Sequence, residues 1–383
     1  MHDVIVVGLG AMGSATAYQL ARRGHTVLGL EALTRAHELG SSGGLTRIIR
    51  LAYFEHPDYV PLLRAAWDLW PQVEEQAGEK LMLQTGGLYC GRRGSAVLEG
   101  SMLSARQHGL PHELLDAAEA RHRFPALQLD DGMAALHEPL AGILYPERCI
   151  DAHLRLAERH GAQLHFEERV TGWSASGGGI QVSTNAGTYS ADRLVLAAGA
   201  WLPQLTPELQ LPLAVERVPL FWFQPVATPE LLTPDRLPVW IIELDAEYAF
   251  YGFPVLPGQG AKVARHHGGR SVDPDRLDRK VDAADERPVR DFVERYLPAA
   301  NGPRLDARVC MYTNTPDFHF IIDRHPADER VIICSPCSGH GFKFSSVMGV
   351  IAADLAIDGR TGFEIGFMSL GRFREPQPGP LAA

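Results

Sequence analysis

Val4-Ile5-Val6-Val7-Gly8-Leu9-Gly10-Ala11-Met12-Gly13, continued by a helix-forming run from Ser14 to Arg23, decides the fold. The first four residues read as a strand buried on both faces, the kind found in parallel sheets. Each glycine then has a task. Gly8 permits a tight turn, Gly10 lets the backbone approach a pyrophosphate, and Gly13 lets the helix pack closely on the strand. Phosphates would sit at the helix N-terminus, where unpaired N–H groups and the helix dipole favour negative charge. Such a glycine turn also occurs in βαβ units that bind nothing, so its surroundings carry the decision. Ala17 and Gly24 supply small residues at the helix face and end. A second strand, Thr26-Val27-Leu28-Gly29-Leu30, ends in Glu31, placed to accept hydrogen bonds from a ribose diol.

Further along, Arg193-Leu194-Val195-Leu196-Ala197-Ala198-Gly199-Ala200-Trp201 is another buried strand closing on small residues. It resembles the second dinucleotide-contacting strand of glutathione-reductase-like FAD enzymes, which most NAD dehydrogenases lack. Strand-turn-helix units fall at residues 3 to 33, 146 to 200 and 330 to 358. Between them, residues 81 to 144 mix short strands and helices. Residues 212 to 266 are aromatic, β-branched and Pro-punctuated, which suggests an antiparallel sheet. The expectation is an α/β protein: a discontinuous Rossmann-like, glutathione-reductase-type FAD-binding domain (1–80, 145–211 and 310–383) with an α+β substrate domain built on a mainly antiparallel sheet (81–144 and 212–309). Ser174 to Gly179 reads as a hairpin turn, and Glu375 to Pro380 as a loosely held tail.

Composition narrows the function classes. Of 383 residues, 36 are basic and 46 acidic, a net charge of −10. A general grip on nucleic-acid phosphates is therefore not expected, whereas a small anion needs only a locally basic pocket. Five scattered cysteines (Cys90, Cys149, Cys310, Cys334, Cys337) do not make a secreted disulfide framework. The chain runs from Met1-His2-Asp3 directly into a strand, and no apolar run reaches the ~18 residues of a membrane span. A cytoplasmic protein is the expectation. In Arg265-His266-His267 the adjacent histidines are expected on opposite strand faces, so no metal is expected.

Three further segments narrow the reading: Gly40-Ser41-Ser42-Gly43-Gly44-Leu45-Thr46-Arg47-Ile48-Ile49-Arg50, Val309-Cys310-Met311-Tyr312-Thr313-Asn314-Thr315-Pro316-Asp317, and Ser338-Gly339-His340-Gly341-Phe342-Lys343-Phe344. With Phe320-Ile321-Ile322-Asp323, they resemble the monomeric sarcosine oxidase and N-methyltryptophan oxidase family of D-amino-acid-oxidase-like flavoproteins, from residue 3 to about 370. The resemblance implies FAD bound through Gly8, Gly10, Gly13, Glu31, Ser41, Arg47, Val170 main-chain atoms, Gly199, Gly339, Gly341 and Lys343. It also implies a covalent bond from Cys310 sulfur to the flavin 8α carbon, which requires a thiolate. Arg50 and Lys343 fall on the family's carboxylate-binding positions, joined by Tyr312 in the substrate cavity. Lys262 falls on the lysine that activates oxygen, Arg47 on an arginine packed against the flavin, and Tyr251 and His266 on cavity positions next to the chemistry.

These expectations amount to an amine oxidase that takes a hydride from the carbon beside the nitrogen of a small secondary amino acid such as sarcosine. Oxygen would be reduced to hydrogen peroxide, and the family implies a monomer. Larger N-methyl amino acids, cyclic imino acids such as proline or pipecolate, and a dehydrogenase with a different electron acceptor all remain open. Gly43-Gly44-Leu45 departs from the family pattern and leaves substrate size open. Phe221, Trp222, Phe223 and Trp240 are candidates to shape the cavity, with alternation placing only part of them there. Cys334-Ser335-Pro336-Cys337 has no partner pair that would make it a zinc site.

Overall fold

Alternation along His2–Val7 organises the first of two large sheets. Val4 and Val6 belong to a core shared with helices, whereas Ile5 and Val7 face a second core on the other side of the sheet. That double burial is what four consecutive β-branched residues imply. The computed structural model describes residues 1–245 and 248–373, and the tail from Glu375 to Pro380 lies outside them.

The strand is central in an eight-stranded sheet. Its parallel part runs Gln163–His165, Val27–Leu30, His2–Val7, Thr188–Leu196, Asp328–Ser335. A meander of Val170–Ser176 and Gly179–Thr184 joins the start of Thr188–Leu196, so the expected hairpin is present. Ile321–His325 closes the far edge, antiparallel to Asp328–Ser335. Helices Ala11–Arg22, Val60–Ala77, Pro146–Arg159 and Ser345–Asp358 cover one face and pack on one another.

A second eight-stranded sheet runs Arg304–Asn314, Ala214–Phe223, Ala261–His266, Tyr248–Gly252, Val239–Asp245, Gly87–Arg92, Met133–Glu138, Glu113–Asp116. All its neighbours are antiparallel except Val239–Asp245 with Gly87–Arg92. Its two faces part by alternation. Phe221, Phe223, Ala261, Val263 and Phe250 meet the helix Ala283–Tyr296, and Leu220, Trp222, Ala264, Cys310 and Tyr312 form the opposite face. A small three-stranded sheet, Arg47–Arg50, Ala141–Leu144 and Met82–Gln84, carries an arginine at each end of its first strand.

Close approach explains two of the motif glycines. A Cβ on Gly13 would lie 1.7 Å from Gly8 O, and Gly8, at φ +86°, has no room beside Ala197 O. Gly10 differs, since a Cβ there meets nothing nearer than Ser42 Oγ at 4.0 Å. Gly13→Ala is therefore expected to destabilise the fold by about 1–3 kcal/mol or more through overpacking. Gly10→Ala should leave the protein's thermal midpoint nearly unchanged, and thermal unfolding of the two variants without cofactor checks the contrast.

Candidate active site

The C-terminal ends of the parallel strands open onto one continuous cavity, the usual ligand position in such sheets. Of the residues expected to hold the cofactor or the substrate or to serve the chemistry, all but Gly13, Lys262 and Cys310 border it. Gly13 is consumed in packing, and the other two lie behind the wall.

At the dinucleotide end, helix Ala11–Arg22 starts at Gly10 without a side-chain cap, which leaves its first-turn N–H groups for a ligand. Glu31, almost fully buried, accepts from Leu9 N–H at 2.8 Å and Leu33 N–H at 3.0 Å, so it also holds the glycine turn. The Ser41 hydroxyl is buried on the same wall with no partner among the described residues. An uncapped helix, a glycine turn with space over Gly10 and an orphaned hydroxyl fit the pyrophosphate of FAD.

The cavity also has a cationic wall. Arg50, 2% exposed, donates from Nη1 to Ala52 O at 3.0 Å, and its Nη2 meets both oxygens of Glu55 at 2.6 Å. Its guanidinium lies over the Tyr53 and Phe54 rings, 4.2 and 4.3 Å from their centroids. Lys343, 6% exposed, donates to His340 O at 2.7 Å. Burial, seconded by Arg50, pushes its ammonium down to about 7. His340 Nε2 faces Phe318 O at 2.9 Å and so carries the hydrogen, leaving Nδ1 to accept from Tyr53 OH at 2.5 Å. Burial holds that ring down to about 3, which keeps it neutral.

Arg47 donates to the carbonyls of Ser41, Gly43 and Thr46, and its Nη2 lies 3.4 Å from Cys310 Sγ. Lys262, 2% exposed, uses its three hydrogens on Gly44 O (2.6 Å), Thr46 O (2.9 Å) and Thr46 Oγ1 (3.1 Å). Burial and then Arg47 pull its ammonium well below the usual lysine range. Tyr312 OH reaches Tyr251 OH at 3.5 Å and His266 Nδ1 at 3.4 Å, and burial holds His266 neutral.

Two expectations need correction. Phe221, Trp222, Phe223 and Trp240 do not border the cavity. Phe221, Phe223 and Trp240 face the core under Ala283–Tyr296, where Trp240 stacks on Phe292, and Trp222 covers Lys262. The apolar wall includes instead Phe54, Ile241, Phe253 and Met311. Nor do His266 and His267 point to opposite faces. The strand ends at His266, His267 takes φ +61°, and the two rings sit 4.2 Å apart. No group of three metal-binding residues occurs among the described residues.

Glu138 escaped the sequence reading. Fully buried, it accepts from Leu51 N–H, Ala52 N–H and Tyr89 OH, bracing the turn that carries Arg50. Burial pushes its carboxyl up to about 7 despite those bonds. Only its position after alternating strand residues marked it as a candidate for burial.

Comparison with known proteins shows the family. The model of the FAD-dependent oxidoreductase (DAO) family matches residues 3–355. The chain belongs to that family. The oxidoreductase is 46% identical to monomeric sarcosine oxidase of Streptomyces avermitilis over 369 residues, 95% of this chain and 96% of that one. It is 35% identical to N-methyl-L-tryptophan oxidase of Yersinia pestis, covering 97% of this chain and 100% of that one. Among solved structures, NikD, an unusual amino acid oxidase essential for nikkomycin biosynthesis, superposes with a TM-score of 0.85 at 26% identity over 96% of this chain and 97% of that one. L-proline dehydrogenase from P. horikoshii shares the fold, with a TM-score of 0.84 at 23% identity over 97% and 98%.

Lys343 is protonated below about pH 7 and loses its charge above it. In the oxidoreductase, inhibition by a simple carboxylate such as acetate should therefore weaken as pH rises through 7. Lys343→Met should flatten that profile and raise Ki at pH 6 by about 10–100-fold, the equivalent of one charge-assisted hydrogen bond. Glu55→Gln should lower Ki by removing the carboxylate that competes for Arg50. Steady-state inhibition from pH 5.5 to 9 checks all three.

Proposed function

We propose that the oxidoreductase oxidises a small secondary amino acid, sarcosine or a related N-methyl amino acid, with oxygen as acceptor and an imine and hydrogen peroxide as products. One observation carries this: two buried cations, Arg50 and Lys343, border the same cavity as the uncapped helix. That arrangement suits an amino-acid carboxylate and leaves the rest of the molecule against an apolar wall. The names of the relatives support the substrate class.

FAD, when bound, accepts the hydride and passes the electrons on. The chain supplies the setting. Arg50 exchanges Glu55 for the substrate carboxylate, and Lys343 adds a second positive charge. Arg47, Arg50 and Lys343 together disfavour a protonated amine, so the nitrogen lone pair is free to assist departure of the hydride. Neutral His266, with Tyr251 and Tyr312, borders the same space and offers polar contacts without adding charge. Phe54, Phe253, Ile241 and Met311 exclude water from the reacting carbon. Cys310, whose Sγ lies 3.4 Å from Arg47 Nη2, is assigned the covalent link to the cofactor on the strength of the family resemblance. Ser41, Val170, Gly199, Gly339 and Gly341 are assigned to the cofactor by their places on the wall. The reading includes a cytoplasmic monomer. No helix among the described residues is long and apolar enough to cross a membrane.

A second reading, electron transfer to an acceptor other than oxygen, draws on Lys262. Its hydrogens are all donated to Gly44 and Thr46, and it does not border the cavity. Peroxide measurement separates the two. Sarcosine under air should yield one peroxide per aldehyde, whereas aldehyde formed only with an added dye would favour the second reading. Acid precipitation should leave a yellow pellet, and Cys310→Ala should leave it colourless with the flavin in the supernatant. A larger N-methyl amino acid or a cyclic imino acid that outperforms sarcosine by about tenfold or more in kcat/KM would reassign the substrate within the same chemistry.

A further inference from the structure

We propose that Glu147 is the positioning residue for the cationic layer behind the cavity, acting through the backbone turn Gly44-Leu45. The inference rests on the reading of Arg47 and Cys310 as cofactor residues and of Lys262 as the lysine that activates oxygen. It adds a residue that neither the motif nor the resemblance singles out.

The loop from Ser41 to Thr46 is the common acceptor for all three groups. Arg47 donates to Ser41 O, Gly43 O and Thr46 O, Lys262 to Gly44 O, Thr46 O and Thr46 Oγ1, and the Cys310 thiol to Ser41 O at 3.4 Å. The positions of these groups therefore follow the loop. Its shape is not one the chain adopts freely, because Gly44 has φ +117° and Leu45 φ +66°, the latter in a region that leucine avoids. Some contact has to hold it.

Glu147 makes that contact. Its Oε1 accepts from Gly44 N–H at 2.8 Å and Leu45 N–H at 3.0 Å. Strand pairing brings it there. Arg47 is opposite Leu144 in an antiparallel pair, and continuing that register sets Gly44 opposite Glu147. Pro146 then begins the helix Pro146–Arg159. An acid in a first helical turn is ordinarily explained by the helix dipole, but that explanation does not require two N–H groups of a distant segment. The turn it grips lies against both cations. A Cβ on Gly44 would be 3.2 Å from Arg47 Nη1 and 3.5 Å from Lys262 Nζ. Burial and Arg47 disfavour the Lys262 ammonium, and Glu147 is the foremost group acting the other way.

The carboxylate grip hangs on other segments. Arg50 is anchored to Ala52 O and Glu55, and Lys343 to His340 O. Glu147 should therefore affect the cofactor side and leave substrate anchoring alone.

The experiment compares Glu147→Ala and Glu147→Gln holoenzymes with wild type by three readouts: flavin retained in the acid pellet, kcat/KM for oxygen, and Kd for acetate from the flavin absorbance change. Glu147→Ala should lower oxygen kcat/KM by about tenfold or more and lower flavin retention, with acetate Kd shifted by less than about twofold. Glu147→Gln keeps an oxygen acceptor for both N–H groups and should restore retention and most of the oxygen rate. Wild-type values in Glu147→Ala would overturn the proposal. So would a parallel loss of acetate binding, which marks general collapse, or a Gln variant as impaired as Ala. Controls separate the underlying reading. If Lys262→Met keeps the oxygen rate, the Lys262 assignment fails and Glu147 is judged on flavin retention. If the wild-type pellet is colourless, the Cys310 assignment fails and Glu147 is judged on the oxygen rate.

Discussion

Positive charge held out of water is the constraint on which the site depends. Arg50, Lys262 and Lys343 are each at most 6% exposed. An ion moved from water into a protein interior costs several kcal/mol unless its hydrogen bonds are replaced. Sheet carbonyls are already committed to their ladders, so the replacement acceptors come from irregular backbone: residues 41 to 46, Ala52 and His340. The site accordingly sits where the ends of strands from three sheets release the chain into turns. Those turns contain left-handed residues such as Leu45 and Ser338 that would be out of place in a ladder.

The same accounting of donors separates two kinds of cation. Lys262 and Arg47 are held by main-chain carbonyls, which cannot leave without unfolding the loop. Arg50 has a side-chain carboxylate, Glu55, at a spot bordering the cavity, and an incoming carboxylate can take its place at little electrostatic cost. Fixed cations suit a role toward a permanently bound group, and an exchangeable one suits a role toward a substrate that comes and goes. Acids placed one layer back, Glu138 buried and Glu147 half-buried, hold both arrangements. Glu138 braces the turn after Arg50, and Glu147 the turn before Arg47.

How much of this was legible in the sequence follows from the range of each interaction. The nucleotide-binding turn was readable because Gly8, Gly10 and Gly13 act within one strand-turn-helix unit, and the aromatic, β-branched, Pro-punctuated texture of residues 212 to 266 announced the antiparallel sheet. Resemblance supplied Arg50, Lys343, Lys262 and Cys310, which no local pattern distinguishes from ordinary surface or core residues. Glu138 and Glu147 had no such support, since their partners are 87 and 103 residues away and their roles arise only when the strands pair. The aromatic run at 221–223 misled because alternation indicates which residues share a face without saying which face meets the cavity. His267 misled because a single left-handed residue at a strand end cancels the alternation altogether.

The proposed function depends on Arg50 and Lys343 receiving a carboxylate together inside the cavity. Because Lys343 titrates near 7 when no ligand is bound, ligand binding above that pH must draw a proton onto it. Calorimetry of acetate binding to the holoenzyme at pH 8, in buffers of different ionisation enthalpy, measures this directly. Uptake of about one proton per acetate is expected at pH 8 and nearly none at pH 6, with the uptake abolished in Lys343→Met. Binding at pH 8 with no proton uptake would contradict it.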